Sequence, residues 1–164
     1  MKSNIVLIGM PGSGKSTAGV ILAKMTGLSF VDTDLLIQSR TGKLLQQIID
    51  EKGTDEFIRL EGEIIASLEF ENSVIATGGS AVLTGGAMKN LKQGGTVVYL
   101  KTDLADICRR ITNLETRGIA MQSGETLGDI YKKRESLYRK YADITVSGSA
   151  AEETARKIIK KLNL

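Results

Sequence analysis

The stretch with the most specific chemistry is Gly9-Met10-Pro11-Gly12-Ser13-Gly14-Lys15-Ser16, followed by Thr17. It fits G-x-x-x-x-G-K-[ST] and lies directly after the apolar run Asn4–Ile8 and before a helical stretch. Glycines let consecutive backbone N–H groups converge on phosphate oxygens, and the N-terminus of the next helix adds partial positive charge. Lys15 supplies a full charge at β/γ-phosphates, and the Ser16 hydroxyl suits Mg²⁺. A purely structural glycine turn is the bland alternative. Average residue usage gives this pattern by chance in under about one in a hundred chains of this length. Gly12, Ser13, Gly14, Lys15, Ser16 and Thr17 are therefore the expected triphosphate-binding residues.

Val31-Asp32-Thr33-Asp34 places two carboxylates two positions apart at the end of a short β-branched run. Ligands of open α/β sheets bind at that edge, although Asp32 or Thr33 could equally cap the next helix. Arg134 falls inside the apolar stripe Leu127, Ile130, Tyr131, Leu137, Tyr138, Tyr141. A buried arginine needs an anionic partner, either a ligand or an internal carboxylate, whereas a snorkelling side chain would need neither. Residues 115–128, polar and glycine-bearing, are too long for a tight connection. They read either as a disordered surface loop or as a mobile lid carrying Arg117.

The elements that must hold these groups follow from periodicity. Strands are expected at Asn4–Ile8, Ser29–Val31, Ser73–Ala76, Thr96–Leu100 and Ile144–Val146, apolar on both sides as in a covered parallel sheet. Helical spacing appears in Phe57, Leu60, Ile64, Ile65, Leu68 and in Leu104, Ile107, Cys108, Ile111. It also appears near residues 125–141 and 150–162, the last with Ser149 as the expected N-cap. Strands alternating with helices make an α/β sandwich. Cys108, on an apolar stripe, is expected to be inert core.

The chain has 164 residues, which fits one domain. No apolar run approaches the roughly 18 residues of a membrane span. With no histidine and one cysteine, zinc, haem and histidine-based triads are excluded, and a reducing cytoplasm is expected. The net charge of +3 is concentrated beyond residue 100, where 13 basic face 9 acidic side chains. No long basic block appears and aromatics are only 4%, which argues against nucleic acid. The absence of an N-K-x-D segment argues against a GTPase. A small phosphate-loop domain with a lid fits a kinase of a small molecule.

Across its length the chain resembles the shikimate kinase family. The likeness rests on the phosphate loop, Asp32-Thr33-Asp34, Phe57 with Glu61, Thr77-Gly78-Gly79, Arg117, and Arg134 with Tyr138 and Ala142. It implies a three-layer α/β/α sandwich with a five-stranded parallel sheet, a nucleoside monophosphate kinase-like fold with a mobile lid. It implies one domain over residues 1–164, with substrate-binding helices at about 33–62 and a lid at about 115–128. ATP and Mg²⁺ would be the cofactors, and the substrate would be shikimate or a similar hydroxy acid. A cytoplasmic monomer without nucleic-acid or membrane partners is expected. By resemblance, Asp32 holds Mg²⁺ with Ser16, and Asp34 binds and activates the attacking hydroxyl. Gly78 and Gly79 face the substrate, Arg117 closes over the nucleotide and completes the catalytic set with Lys15 and Asp34, and Arg134 binds the substrate carboxylate.

Three departures matter. The family reads F-R-x-x-E where this chain has Phe57-Ile58-Arg59-Leu60-Glu61, so Arg59, about 100° further around the helix, is the candidate replacement for the second carboxylate-binding arginine. It could instead pair with Asp55 or Glu63. The third glycine of the family's run is Ser80, and the lid reads Arg117-Gly118-Ile119 in place of Arg-Pro-Leu, which implies a more flexible lid. No adenine-stacking arginine followed by proline is found near residues 147–150. Two alternatives stay open: a kinase of another small polyol or hydroxy acid, and a nucleotide-binding regulator without phosphotransfer.

Overall fold

The computed structural model describes residues 2–164. Five parallel strands form one sheet in the order β2-β3-β1-β4-β5. They are β1 (Asn4–Ile8), β2 (Ser29–Asp32), β3 (Ser73–Ala76), β4 (Gly95–Lys101) and β5 (Ile144–Ser147). The expected strands are all present, three of them longer by one or two residues. β1 is buried along its whole length because β3 and β4 pair with it on either side and helices cover both faces.

Eight α-helices complete the chain: α1 (Lys15–Thr26), α2 (Thr33–Thr41), α3 (Leu45–Lys52), α4 (Thr54–Ala66), α5 (Gly85–Gly94), α6 (Leu104–Arg110), α7 (Leu127–Tyr141) and α8 (Ala151–Leu162). One core layer joins Ile8, Ile37, Phe57, Ile65, Met88 and Tyr138, from β1, α2, α4, α5 and α7. The other joins Leu7, Leu22, Val98 and Ile158, with α1 and α8 against the opposite face. This is the expected three-layer arrangement. The central position of β1, with the chain winding away on both sides, opens a crevice at its C-terminal end.

Two expectations are corrected. Cys108 is exposed: α6 is only seven residues long, and Ile107 is its buried anchor, so the covered stripe is narrower than the apolar spacing suggests. The N-cap of α8 is Ala150, with no side-chain cap bond. Ser149 is occupied with Thr154, whose hydroxyl accepts from the Ser149 N–H at 3.1 Å. No helix of the described residues is long and apolar enough to cross a membrane.

Candidate active site

The phosphate loop leaves β1 at Ile8 and ends at Gly14, the N-cap of α1, where no side chain occupies the first-turn N–H groups. They stay open to an anion, which a serine or aspartate cap would have blocked. Lys15 is buried, and its Nζ donates to the carbonyls of Gly9 and Met10, both at 2.8 Å, and to Ser13 Oγ at 3.3 Å. Burial pulls its pKa down to about 8, and nearby Asp34 opposes that shift. The ammonium therefore remains charged at neutral pH.

Asp32, the last residue of β2, serves two partners. Its Oδ1 caps α2 by accepting from the N–H groups of Asp34 at 2.9 Å and Leu35 at 3.4 Å. Its Oδ2 accepts from Ser16 Oγ at 2.6 Å. Capping and phosphate-loop contact thus coexist in one carboxylate. A hydroxyl and a carboxylate side by side suit Mg²⁺, which keeps several waters and takes few protein ligands. No group of three or more acidic, histidine or cysteine side chains forms a metal cage among the described residues.

Asp34 lies in the first turn of α2 and faces the loop after β3. Burial and the neighbouring Asp32 carboxylate raise its pKa to about 6, with Lys15 and Arg117 pulling the other way. Gly78 sits between two acids: a Cβ there would lie 2.6 Å from Glu61 Oε2 and 2.7 Å from Asp34 Oδ1. Only glycine fits that approach. The Gly78 N–H donates to Thr33 Oγ1 at 3.2 Å, and the Gly79 carbonyl accepts from the Tyr138 hydroxyl at 2.6 Å. Tyr138 stacks on Tyr99 at 5.2 Å between ring centroids, and burial pushes its phenol pKa up, so it remains a donor.

Arg134 is buried, 3% exposed, within the α7 stripe as expected. Its Nη2 donates to the Ala120 carbonyl at 2.5 Å, and its Nη1 has no hydrogen-bond partner. It forms no ion pair among the described residues, which leaves an anionic ligand as its counter-charge. Glu61, buried at 1% exposure on α4, accepts from Ser80 Oγ at 2.5 Å through Oε1 while its Oε2 has no partner. Burial raises its pKa to about 7.

Lys15, Ser16, Asp34, Gly78, Gly79, Arg117 and Arg134 line one cleft. Gly12, Ser13, Gly14, Thr17 and Arg117 line an adjoining groove beside the phosphate loop. Arg117 is common to both. Arg59 is not brought in: its guanidinium is exposed and holds Glu56, at 3.0 Å from Nε, and Glu63. Ile58 takes the inward direction and packs on the core, because an apolar side chain gains from burial there and Arg59 has two acids one turn away.

The lid segment has neither helix nor strand over residues 112–126, yet it is docked. The Gly118 N–H donates to Gln46 Oε1 at 3.2 Å, Thr54 Oγ1 donates to the Met121 carbonyl at 2.7 Å, and Gln122 Nε2 donates to Asp55 Oδ1 at 2.7 Å. Gly118 has φ +74°, left-handed backbone that proline cannot adopt. Glycine thus specifies a turn here, and in this structure the segment is tied to α3 and α4. The sequence singles out Glu61 and Ser80 but not their pairing, and it misses Arg110, whose Nη1 donates to the Gly12 carbonyl at 3.1 Å. Glu61 carried a usable signal, since it interrupts the apolar stripe of α4 as Arg134 interrupts that of α7.

A phosphate loop feeding α1, a carboxylate pair at the β2 edge and an arginine-bearing lid define a P-loop kinase with the nucleoside monophosphate kinase-like fold. Residues 11–163 match the family model described as shikimate kinase, and the chain belongs to the shikimate kinase family. It is 39% identical over 146 residues to a shikimate kinase of Nitrosospira multiformis, covering 87% of this chain and 75% of that one. A shikimate kinase of Clostridium botulinum is 36% identical over 162 residues, covering 98% and 97%. Among solved structures, shikimate kinase from Acinetobacter baumannii in complex with shikimate superposes with a TM-score of 0.89 at 32% identity, over 99% of this chain and 94% of that one.

Proposed function

We propose that the chain transfers the γ-phosphoryl group of ATP to the 3-hydroxyl of shikimate, the kinase step that yields shikimate 3-phosphate in aromatic amino acid biosynthesis. The observation that carries this reading is the cleft where Asp34, Lys15 and a buried Arg134 without an internal counter-charge meet. A hydroxylated carboxylic acid satisfies that set: its carboxylate answers Arg134, and its hydroxyl answers Asp34.

The phosphate loop binds the triphosphate through the N–H groups opening α1, and Lys15 exchanges loop carbonyls for phosphate oxygens. Ser16 and Asp32 would hold Mg²⁺, which would supply charge neutralisation on the phosphates. Asp34 orients the attacking hydroxyl and accepts its proton, and must be ionised to do so. Gly78 and Gly79 let the substrate approach backbone, with Tyr138 fixing the Gly79 carbonyl. Arg117, shared by cleft and groove, counters charge developing between donor and acceptor while the lid excludes water. Residues 1–164 act as one domain, with the substrate region at about 33–62 and the lid at about 115–128. The working form is a cytoplasmic monomer, to which the lone thiol and the self-contained cleft are suited.

Phosphorus NMR of the product after incubation with Mg-ATP and shikimate tests the assignment. A phosphomonoester on the 3-oxygen is expected. Phosphorylation of gluconate or a nucleoside monophosphate, with shikimate untouched, would overturn it.

A further inference from the structure

Three buried side-chain polar atoms among the described residues lack a hydrogen-bond partner: Glu61 Oε2, Thr102 Oγ1 and Arg134 Nη1. Glu61 and Arg134 line the same cleft. Natural proteins leave few such groups unsatisfied, so two in one cleft mark places kept for ligand atoms. Arg134 is a donor. Glu61 would be an acceptor if ionised and a donor if protonated, and its surroundings decide which.

Glu61 has no cation in ion-pair range. The position one helical turn before it, where an arginine could have met it, is Ile58. Its Oε1 has a hydroxyl for a partner, Ser80 Oγ at 2.5 Å. The ionisable groups facing it are Asp34 from α2, Lys15 from α1, and Arg134 and Tyr138 from α7. Asp34, across Gly78, opposes its ionisation, while the Ser80 hydroxyl and, more weakly, Arg134 and Lys15 favour it. A carboxyl buried to this depth beside another acid is disfavoured as an anion, and its pKa is raised to about 7.

We propose that Glu61 is a specificity-determining residue whose protonated Oε2 donates a hydrogen bond to the substrate carboxylate, which takes its other bond from Arg134 Nη1. One cation and one neutral acid then bind the carboxylate where Ile58 leaves no second arginine. Ser80 is the positioning residue: its hydroxyl occupies Oε1 and leaves Oε2 beside Gly78 without a partner. The inference rests on the kinase reading above. It has a direct consequence, since ionised Glu61 repels the anion it otherwise holds.

The test is the dissociation constant of shikimate, by calorimetry on the full chain without nucleotide, across roughly pH 5.5 to 8.5. In the unaltered protein, affinity is expected to fall about tenfold per pH unit above about 7. E61Q, whose amide donates at every pH, should show no such fall, and S80A should move its midpoint to higher pH. I58R, which gives Glu61 a cation, should also abolish the fall. A protonated-carboxyl infrared band that persists in D34N and is lost above neutral pH gives the same answer should a Glu61 variant not fold. A flat profile in the unaltered protein, affinity that weakens as pH falls, an unchanged fall in E61Q, or no such band overturns the inference. Shikimate-dependent ADP release measured alongside separates the two failures: with turnover present the kinase reading stands and only the role of Glu61 falls, and with none both fall.

Discussion

Ser16 Oγ donates to Asp32 Oδ2 at 2.6 Å, a bond that ties the first turn of α1 to the end of β2. Ser16 lies in the helix that follows β1 and Asp32 ends β2, and β3 separates those two strands in the sheet, so the contact depends on α1 crossing back over β3. It also places together the two oxygens proposed to hold Mg²⁺. Removing the hydroxyl with Ser16→Ala should raise the Mg²⁺ concentration for half-maximal ADP release about 10- to 100-fold. A titration of activity against Mg²⁺ checks it, and an unchanged midpoint would take Ser16 out of the metal site.

Asp34 and Lys15 are the proposed reacting centre. Asp34→Asn keeps the shape and removes the proton acceptor, so kcat should fall by about 10²- to 10⁴-fold while the thermal midpoint stays close to that of the parent. Rapid-quench kinetics with circular dichroism on the same sample would show both. Substantial turnover in this variant would remove Asp34 from the mechanism.

The arginines separate cleanly. Arg134→Ala deletes the buried cation and should raise KM for the acid by at least about tenfold, from loss of a charge-assisted bond. Arg59→Ala breaks only exposed ion pairs with Glu56 and Glu63 and should leave KM within about twofold. Initial rates against substrate concentration distinguish them, and a large effect at Arg59 would mean that α4 turns on binding.

Gly118 should tolerate neither alanine nor proline. Its φ of +74° makes Gly118→Ala strained, by about 1 kcal/mol in the docked lid. Gly118→Pro, the residue the wider family carries after its lid arginine, should lower kcat further by undocking Arg117. Hydrogen exchange at residues 117–121 measures the docking. Unchanged protection in the proline variant would contradict the role given to this turn.

Burial of Glu61 gives a stability signature. Its pKa is raised from 4.5 unfolded to about 7 folded, so the native state holds a proton that the unfolded chain releases. The stability this proton carries is complete below about pH 4.5 and is lost as pH rises through about 7, on the order of 3 kcal/mol. Denaturant unfolding at several pH values should show that decline, and Glu61→Gln should reduce it, leaving the earlier decline that Asp34, raised to about 6, contributes.

The sheet was legible because each strand is short, β-branched and apolar on both faces, a pattern a covered parallel strand requires. The phosphate site was legible because its glycines, lysine and serine are adjacent in the chain. Arg134 was legible as a charge inside a stripe, and Glu61 offered the same sign on α4. The direction of Arg59 was not legible, since adjacent positions differ by about 100° and the outcome rests on which neighbour compensates the charge: Glu56 and Glu63 do, and Ile58 takes the core. Cys108 was misplaced because spacing marks the apolar positions of a helix while only packing sets how wide a strip is covered. The docking of the lid rests on single bonds with Gln46, Thr54 and Asp55, residues far from the lid in sequence with no local pattern to announce them.

Coupled ADP release reports on whether the cleft joining Lys15, Asp34 and Arg134 phosphorylates a hydroxylated acid. Purified protein with Mg-ATP should release ADP slowly alone and at least about tenfold faster with shikimate at roughly 1 mM, near the upper range of Michaelis constants. Tight ATP binding with no stimulation by shikimate would contradict the account.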